Sequence, residues 1–460
     1  MSFGANQLGA NQLTRRTFLA GVGAAVGAAA IADLGSDRTV AAQAGGRSVR
    51  IGIRLDGALE RGAAELSCEG PFSVQAASGD GESLKLDPLQ LVGLMADGAG
   101  IRARGGDKSL TFPGAVVLVP AESATPVLEV IGSKGYPYRG RFEVRAGSAG
   151  TVVLLNVLDL DHYVLGVVAK EVPASFGIEP LRAQAVAART YVLARRASGT
   201  HKELGADVCD SQHCQVYAGM TGEHPLGNGA VERTKGVILL RGGQVFEPLY
   251  SSACGGHTEA VGRLFGGDDE EAVADGELPS GINLGSDLGA SVFYKGAWDS
   301  NCAGSNRYRW SYTWDRAELE RAIAAGLGRY AGTSTVASST AEAKVSSVSS
   351  VSVDARGLSG RAVSLKIEGA GVEWIVKRDW GIRNFLRTPD GDALPSSAFA
   401  LEQARGADGK VSQLTVYGAG WGHGGGMCQW GTRGLAARGL AYDAILGHYY
   451  PSADLARAPS

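Results

Sequence analysis

Glu171 stands in the stretch "VVAKEVPASF", bracketed by Val168, Val172 and Phe176 and closely followed by Pro173. A carboxyl group drawn out of water loses solvation of its charged form. Its pKa rises, and it can hold a proton near neutrality as a general acid requires. The plainer reading is an ion pair with Lys170 or with an arginine farther on. Arg182, Arg189 and Arg196 recur every seven residues, the spacing of a solvated or salt-bridged helix face.

A second group of reactive side chains lies in "HKELGADVCDSQHCQVYAG", residues 201–219. Cys and His at such spacings offer the nitrogen and sulfur donors that zinc takes in a tetrahedral site. His201, Cys209 and Cys214 supply three ligands, with His213 or a water as the fourth. The alternative is a Cys209–Cys214 disulfide closing a short loop, which export from the cytoplasm would permit. A zinc hydrolase built on His201, Cys209 and Cys214 is a further reading. In "YSSACGGHTEA", Cys254 and His257 form one C-x-x-H pair, weak evidence for a metal, and Cys254 is equally suited to a disulfide with Cys302. Ser251 and Ser252 lie near His257 in sequence, but no G-x-S-x-G elbow accompanies them.

Residues 418–431, "GAGWGHGGGMCQWG", carry seven glycines. Gly420, Gly422 and Gly425 satisfy G-x-G-x-x-G, yet a dinucleotide fold needs a βαβ unit, and only a short helical tail follows. No G-K-[ST] is present either. What remains is a backbone that something flat or extended can lie against, with Trp421 and Trp430 offering faces to the apolar C–H surface of a sugar and His423 and Gln429 as sugar contacts.

These residues must be held by a scaffold of mixed type. From about Val49 to Val153, short alternating apolar runs broken by Gly, Asp and Pro read as strands and hairpins. A strand-like run is expected to deliver Glu171 to a loop. In "IEPLRAQAVAARTYVLARRA", Leu181, Ala185, Ala188 and Val192 fall on one helix face, and the many alanines imply close packing on most sides. A second β-rich section is expected over about 207–265, an amphipathic helix in "WDRAELERAIAAGLG", and loop-like insertions near 266–300 and 331–345. The fold class is α+β: a mixed, β-rich domain packed around the Ala-rich helix that carries the groove, with an N-terminal β-rich region and surface insertions.

With 44 basic and 47 acidic residues, the chain lacks the basic excess of a nucleic-acid binder. The stretch "TRRTFLAGVGAAVGAAAIA", with Arg15 and Arg16 before a Gly/Ala-rich apolar run and Ala42-Gln43-Ala44 after it, has the layout of a twin-arginine export signal. The expected location is extracytoplasmic, with membrane contact only through an uncleaved leader.

Taken together, "YVLGVVAKEVP", "EPLRAQAVAARTYVLARR", "CDSQHCQVYAG", "YSSACGGHTE", "GIRNFLR" and "GAGWGHGGGMCQWG" resemble the SpoIID/LytB family of sporulation lytic transglycosylases and their relatives. The resemblance runs from about 150 to 455. It implies that Glu171 is the catalytic acid/base for the MurNAc–GlcNAc linkage of peptidoglycan glycan strands. It implies substrate contacts at Gln184, Ser252, His257, His423 and Gln429, and a structural Zn2+ at His201, Cys209 and Cys214. The LytB branch implies a non-catalytic alternative, a wall-binding protein that stimulates a cell-wall amidase. The organisation expected is a leader over 1–44, a β-rich region over 45–150 and a SpoIID/LytB-like domain over 151–456. The leader and Cys254, Cys302 and Cys428 depart from the sporulation members, so general wall remodelling fits better than a sporulation role.

Overall fold

The computed structural model describes residues 48–54, 58–121, 128–131, 137–330, 332–338 and 347–458. The expected export signal and part of the expected 331–345 insertion lie outside these residues.

Two sheets account for the N-terminal region. In the first, Val152–Asp159 lies between Ser48–Ile53 and Arg141–Ala146, and the sheet continues through Val116–Pro120 and Phe72–Ala76 to Leu84–Leu86. The second runs from Pro137–Tyr138 through Ala63–Cys68 and Val92–Asp97 to Lys108–Phe112. Strands such as Gly100–Gly105 alternate buried and exposed side chains, as a sheet with one packed face requires. Val152–Asp159 is buried along nearly its whole length: Val152, Leu154 and Leu158 face a core shared with the second sheet and the helices that follow, and Val153, Leu155 and Val157 pack with Ala206.

The run expected as a strand before Glu171 is a helix, α1 (Leu160–Glu171). Asp159 caps it by accepting the N–H of Asp161, and this cap wins over the β-propensity of its valines. Its apolar face, Tyr163, Val164, Val167 and Val168, enters the core shared with both sheets. Val172 precedes Pro173 and leaves the helical region, which makes Glu171 the last residue of α1.

Helix α2 (Ile178–Ser198) is shared by two cores. Leu181, Ala185, Ala188 and Val192 pack into the N-terminal core, whereas Ala183, Val186 and Ala187 pack into a second core with Val237, Leu239, Leu435 and Ile445. Small side chains on both faces let two layers close on one helix. Arg189 departs from a solvated stripe: it is fully buried, donates to the Val237 carbonyl and pairs with Asp161 at 2.7 Å. Arg182 and Arg196 are salt-bridged to Glu179 and Asp207.

The section 207–265 is less β-rich than its composition implied. It holds the two-residue strand Val208–Cys209, helix α3 (Pro225–Arg233) and the strand Val237–Arg241. Pro225 at the start of α3 and His224 as its cap explain the helix. The acidic segment after it carries α4 (Asp287–Lys295) and contributes fully buried Asp275. Helix α5 (Arg316–Tyr330) packs on a three-stranded and a four-stranded sheet, Val411–Gly418 being central in the former. The tail forms two helices, α6 (Gln429–Ala437) and α7 (Tyr442–Tyr449). The observed class is mixed α+β. Among the described residues, no helix is long and apolar enough to cross a membrane.

Candidate active site

Glu171 sits where α1 ends and the chain turns through Pro173 toward α2. Its carboxylate accepts a 2.7 Å hydrogen bond from the N–H of Val216, and the Gln429 side chain lies near enough to lower its pKa. Burial pushes its pKa above the usual carboxylate range, while these two groups pull the other way. Neither Lys170, nor an arginine, nor a second carboxylate is among the groups that shift it. The residue keeps partial exposure, as a group that must meet a substrate has to.

Gln429, first residue of α6, donates at 3.4 Å to Oε1 of Gln184 on α2. Gln184 is fully buried, and its Nε2 has no partner among the described residues. Next to Gln429, the Trp430 ring lies 4.8 Å from that of Phe176, and the Arg433 guanidinium covers both rings. An aromatic wall therefore stands beside the Glu171–Gln429 pair. Ser252 joins through its backbone, its carbonyl accepting the N–H of Trp430.

The two histidines expected to touch sugar are placed differently. His423 Nε2 lies 2.9 Å from the Tyr250 carbonyl, and its Nδ1 accepts the N–H of Gly425. Both ring nitrogens are thus committed to the fold, and burial pushes the pKa down to about 4. His257 Nδ1 bonds the adjacent Thr258 carbonyl, and its backbone bridges Ala274.

The glycines of 418–431 serve internal packing. At Gly426, φ is +66°, and an added Cβ would lie 1.9 Å from the Leu249 carbonyl oxygen. At Gly424, φ is +77°, and the Cβ would meet the buried Arg361 guanidinium at 2.3 Å. The close approach is made by the protein's own chain, which pairs Tyr250–Ser251 with Met427–Cys428. Trp421 on this loop stays 45% exposed, with the Arg307 guanidinium over its ring.

His201, Cys209, His213 and Cys214 place one ligand atom each within 4.8 Å of the others. His201 Nε2 is 3.3 Å from Cys214 Sγ, and His213 Nδ1 lies 3.7 and 3.6 Å from the sulfurs of Cys209 and Cys214. Around zinc, with bonds of about 2.3 Å to sulfur and 2.0–2.1 Å to nitrogen, such edges are roughly 3.5 Å, so the donors fit a tetrahedral ion. His213 would supply the fourth ligand atom. All six cysteines are free, so neither expected disulfide is formed. Cys254 and Cys302 stand 3.7 Å apart, sulfur to sulfur, against about 2.05 Å for a bond.

Residues 148–240 match the family described as Stage II sporulation protein, and residues 273–426 match a domain of unknown function. The matched segment contains Glu171, Val216 and the whole His/Cys cluster. This part of the chain is thus similar to the SpoIID/LytB family. The chain is 30% identical over 305 residues to the amidase enhancer of Bacillus subtilis, covering 63% of this chain and 40% of that protein. It is 28% identical to the stage II sporulation protein D of Bacillus subtilis over 316 residues, 65% of this chain and 75% of the relative. An uncharacterized protein of Brachyspira hyodysenteriae is 28% identical over 66% of this chain and 68% of its own length.

Four contributors escape a reading of residue types: Val216, Gln215, Tyr163 and Tyr250. Val216 acts through its backbone. Gln215 is fully buried and bonds the hydroxyls of Tyr163 and Tyr250. Both tyrosines lie close enough for the Glu171 charge to raise their phenol pKa values further, behind the larger effect of burial. Gln215 and Val216 directly follow Cys214, and that adjacency to a ligand was the available signal.

Proposed function

We propose that the protein is an exported peptidoglycan lytic transglycosylase that cleaves the MurNAc–GlcNAc bond and leaves 1,6-anhydro-MurNAc ends. The observation that carries this reading is Glu171: a largely buried carboxyl that accepts the Val216 N–H at 2.7 Å, with no second carboxylate among the groups that shift it. Ordinary glycoside hydrolysis uses two carboxyl groups and a water. The transglycosylase route uses one. Protonated Glu171 gives its proton to the departing glycosidic oxygen. As a carboxylate it then takes the proton from the C6 hydroxyl of the same muramic acid while that oxygen bonds C1. The proton balance closes on Glu171, no water is consumed, and the intramolecular nucleophile needs mainly positioning.

The two glutamines suit a residue that must work in both states. With Glu171 ionised, the Gln429 amide donates to it and to Gln184. With Glu171 protonated, a flip of both amides lets the Gln429 oxygen accept from the carboxyl and from Gln184 Nε2. Amide orientation follows the hydrogen-bond network, so the contacts from Glu171 through Gln429 to Gln184 can persist in both states. The Phe176–Trp430 wall supplies an apolar face for a pyranose ring, and Gln184, Ser252 and Gln429 are the contacts nearest to the chemistry. His257 and His423 belong to the supporting frame.

Zinc held by His201, Cys209, His213 and Cys214 would be structural, locking the turn from which Val216 reaches Glu171. In this reading 1–44 is the leader, 45–150 the N-terminal β-rich region and 151–456 the catalytic region.

The name of one relative, amidase enhancer, favours a second reading: a glycan-binding stimulator of a wall amidase. Purified protein and Glu171→Gln, given glycan strands with and without stem peptides, separate the two. Anhydro-muropeptides made only by the unmutated protein support the transglycosylase. Their absence from both proteins, with amidase stimulation intact in Glu171→Gln, overturns it in favour of the enhancer.

A further inference from the structure

Three cysteines that the active site does not use converge on one point. Cys254 follows the strand Tyr250–Ser251, Cys302 lies in a turn of the 273–426 segment, and Cys428 is the N-cap of α6. Asp275 joins them, and the four ligand atoms lie within 4.8 Å of one another. All four residues are buried, Asp275, Cys302 and Cys428 completely.

The spacing is that of ligands. Cys254 Sγ stands 3.7 Å from Cys302 Sγ and 3.2 Å from Asp275 Oδ2. Sulfur atoms bound to one tetrahedral zinc at about 2.3 Å are roughly 3.75 Å apart. The surroundings also orient the four groups. Tyr449 Oη and Asn301 Nδ2 both donate to Asp275 Oδ1, at 2.5 and 3.2 Å, which leaves Oδ2 toward the sulfurs. Cys428 Sγ accepts the N–H groups of Cys254 and Gly431 at 3.2 and 3.3 Å, and Ser300 Oγ lies 3.3 Å from Cys302 Sγ. Outer donors of this kind fix thiolate and carboxylate ligands around a metal. The site is closed, faces an apolar core containing Ala183, Leu435 and Ile445, and offers three soft sulfurs and one oxygen. Four protein ligands with no open position are the pattern of a structural zinc centre.

We propose that Cys254, Asp275, Cys302 and Cys428 bind a second zinc ion, separate from the His201/Cys209/His213/Cys214 centre. Binding displaces the three thiol protons to solvent, so no redox partner is needed. The ion ties the segment after Ser251, the 273–302 segment and the start of α6 to one point. Because Gln429 follows Cys428 directly, the same tie holds the amide that meets Glu171.

Native mass spectrometry of the full chain, purified with zinc present, counts the ions without any substitution. Two zinc ions per chain are expected. One ion should remain in Cys302→Ser/Cys428→Ser and one in Cys209→Ser/Cys214→Ser. Cobalt(II) loaded into Cys209→Ser/Cys214→Ser should show tetrahedral d–d and sulfur-to-cobalt charge-transfer bands. A single zinc in the unmutated chain that disappears in Cys209→Ser/Cys214→Ser overturns the proposal, as does a Cys254–Cys302 disulfide in peptides of the natively folded protein. A single zinc that survives Cys209→Ser/Cys214→Ser upholds it and removes the ion from the other centre instead.

Discussion

The carboxylate of Glu171 and the backbone N–H of Val216 meet at 2.7 Å, joining the end of helix α1 to a residue two positions beyond Cys214. The short piece of chain that ends the His/Cys cluster thus also holds the Glu171 carboxylate.

Replacing Glu171 by Gln should abolish anhydro-muropeptide formation, a loss of at least roughly 10²–10⁴-fold if proton transfer is the function removed. The variant should remain folded, because an amide can accept from Val216 and donate to a flipped Gln429. Product analysis alongside a thermal melt checks both halves.

The pH profile of kcat should descend on its alkaline side above the ordinary carboxylate value of about 4.3. Burial raises the Glu171 pKa, and the proton donor is lost as pH climbs through the raised value. The sign for stability follows. The folded chain binds this proton more tightly than the unfolded one, so stability falls as pH rises from the unfolded to the folded pKa. Glu171→Gln should remove that slope in denaturant titrations at several pH values.

Gln429→Leu removes a donor that lowers the Glu171 pKa. The alkaline limb should move to higher pH, and kcat should drop on the order of 10-fold, the worth of one hydrogen bond of about 1.4 kcal/mol. A mere packing defect would lower kcat without moving the limb.

Removing metal from the His201/Cys209/His213/Cys214 centre with a chelator should free the turn that presents Val216. Activity and Tm should fall together and return when zinc is restored. Activity unchanged in metal-free protein would separate Val216 placement from the cluster.

Arg189→Ala should cost roughly 3–5 kcal/mol, because it leaves Asp161 largely buried without its cation. Chemical denaturation measures this, and the effect should not depend on substrate.

Much of the site could be read from residue types, since Glu171 and the His/Cys set carry their chemistry in their side chains. The strand expected before Glu171 failed because Val164, Val167, Val168 and Val172 outweigh a single capping residue in any composition-based reading, whereas in the folded chain the Asp159 cap and a helical apolar face agree. The glycine loop announced close approach but not by what; the partners, Leu249 and Arg361, are distant in sequence. His423 looked available because nothing local shows that Tyr250 and Gly425 occupy both nitrogens. Asp275 sits in an acidic stretch that reads as solvated loop, and donors distant in sequence, Tyr449, Asn301 and Cys254, make its burial tolerable.

The strand Ser48–Ile53 has one further consequence. It pairs with Val152–Asp159 on one edge and, through Ile51 and Gly52, with Val208 and Cys209 on the other. A shortened protein beginning at residue 151 would keep every side chain assigned to chemistry, yet lose the backbone rail on which Cys209 is threaded and the sheet behind α1. The smallest piece that can be cut out and still work thus begins before Ser48, and a deletion series should lose zinc and activity at the same step.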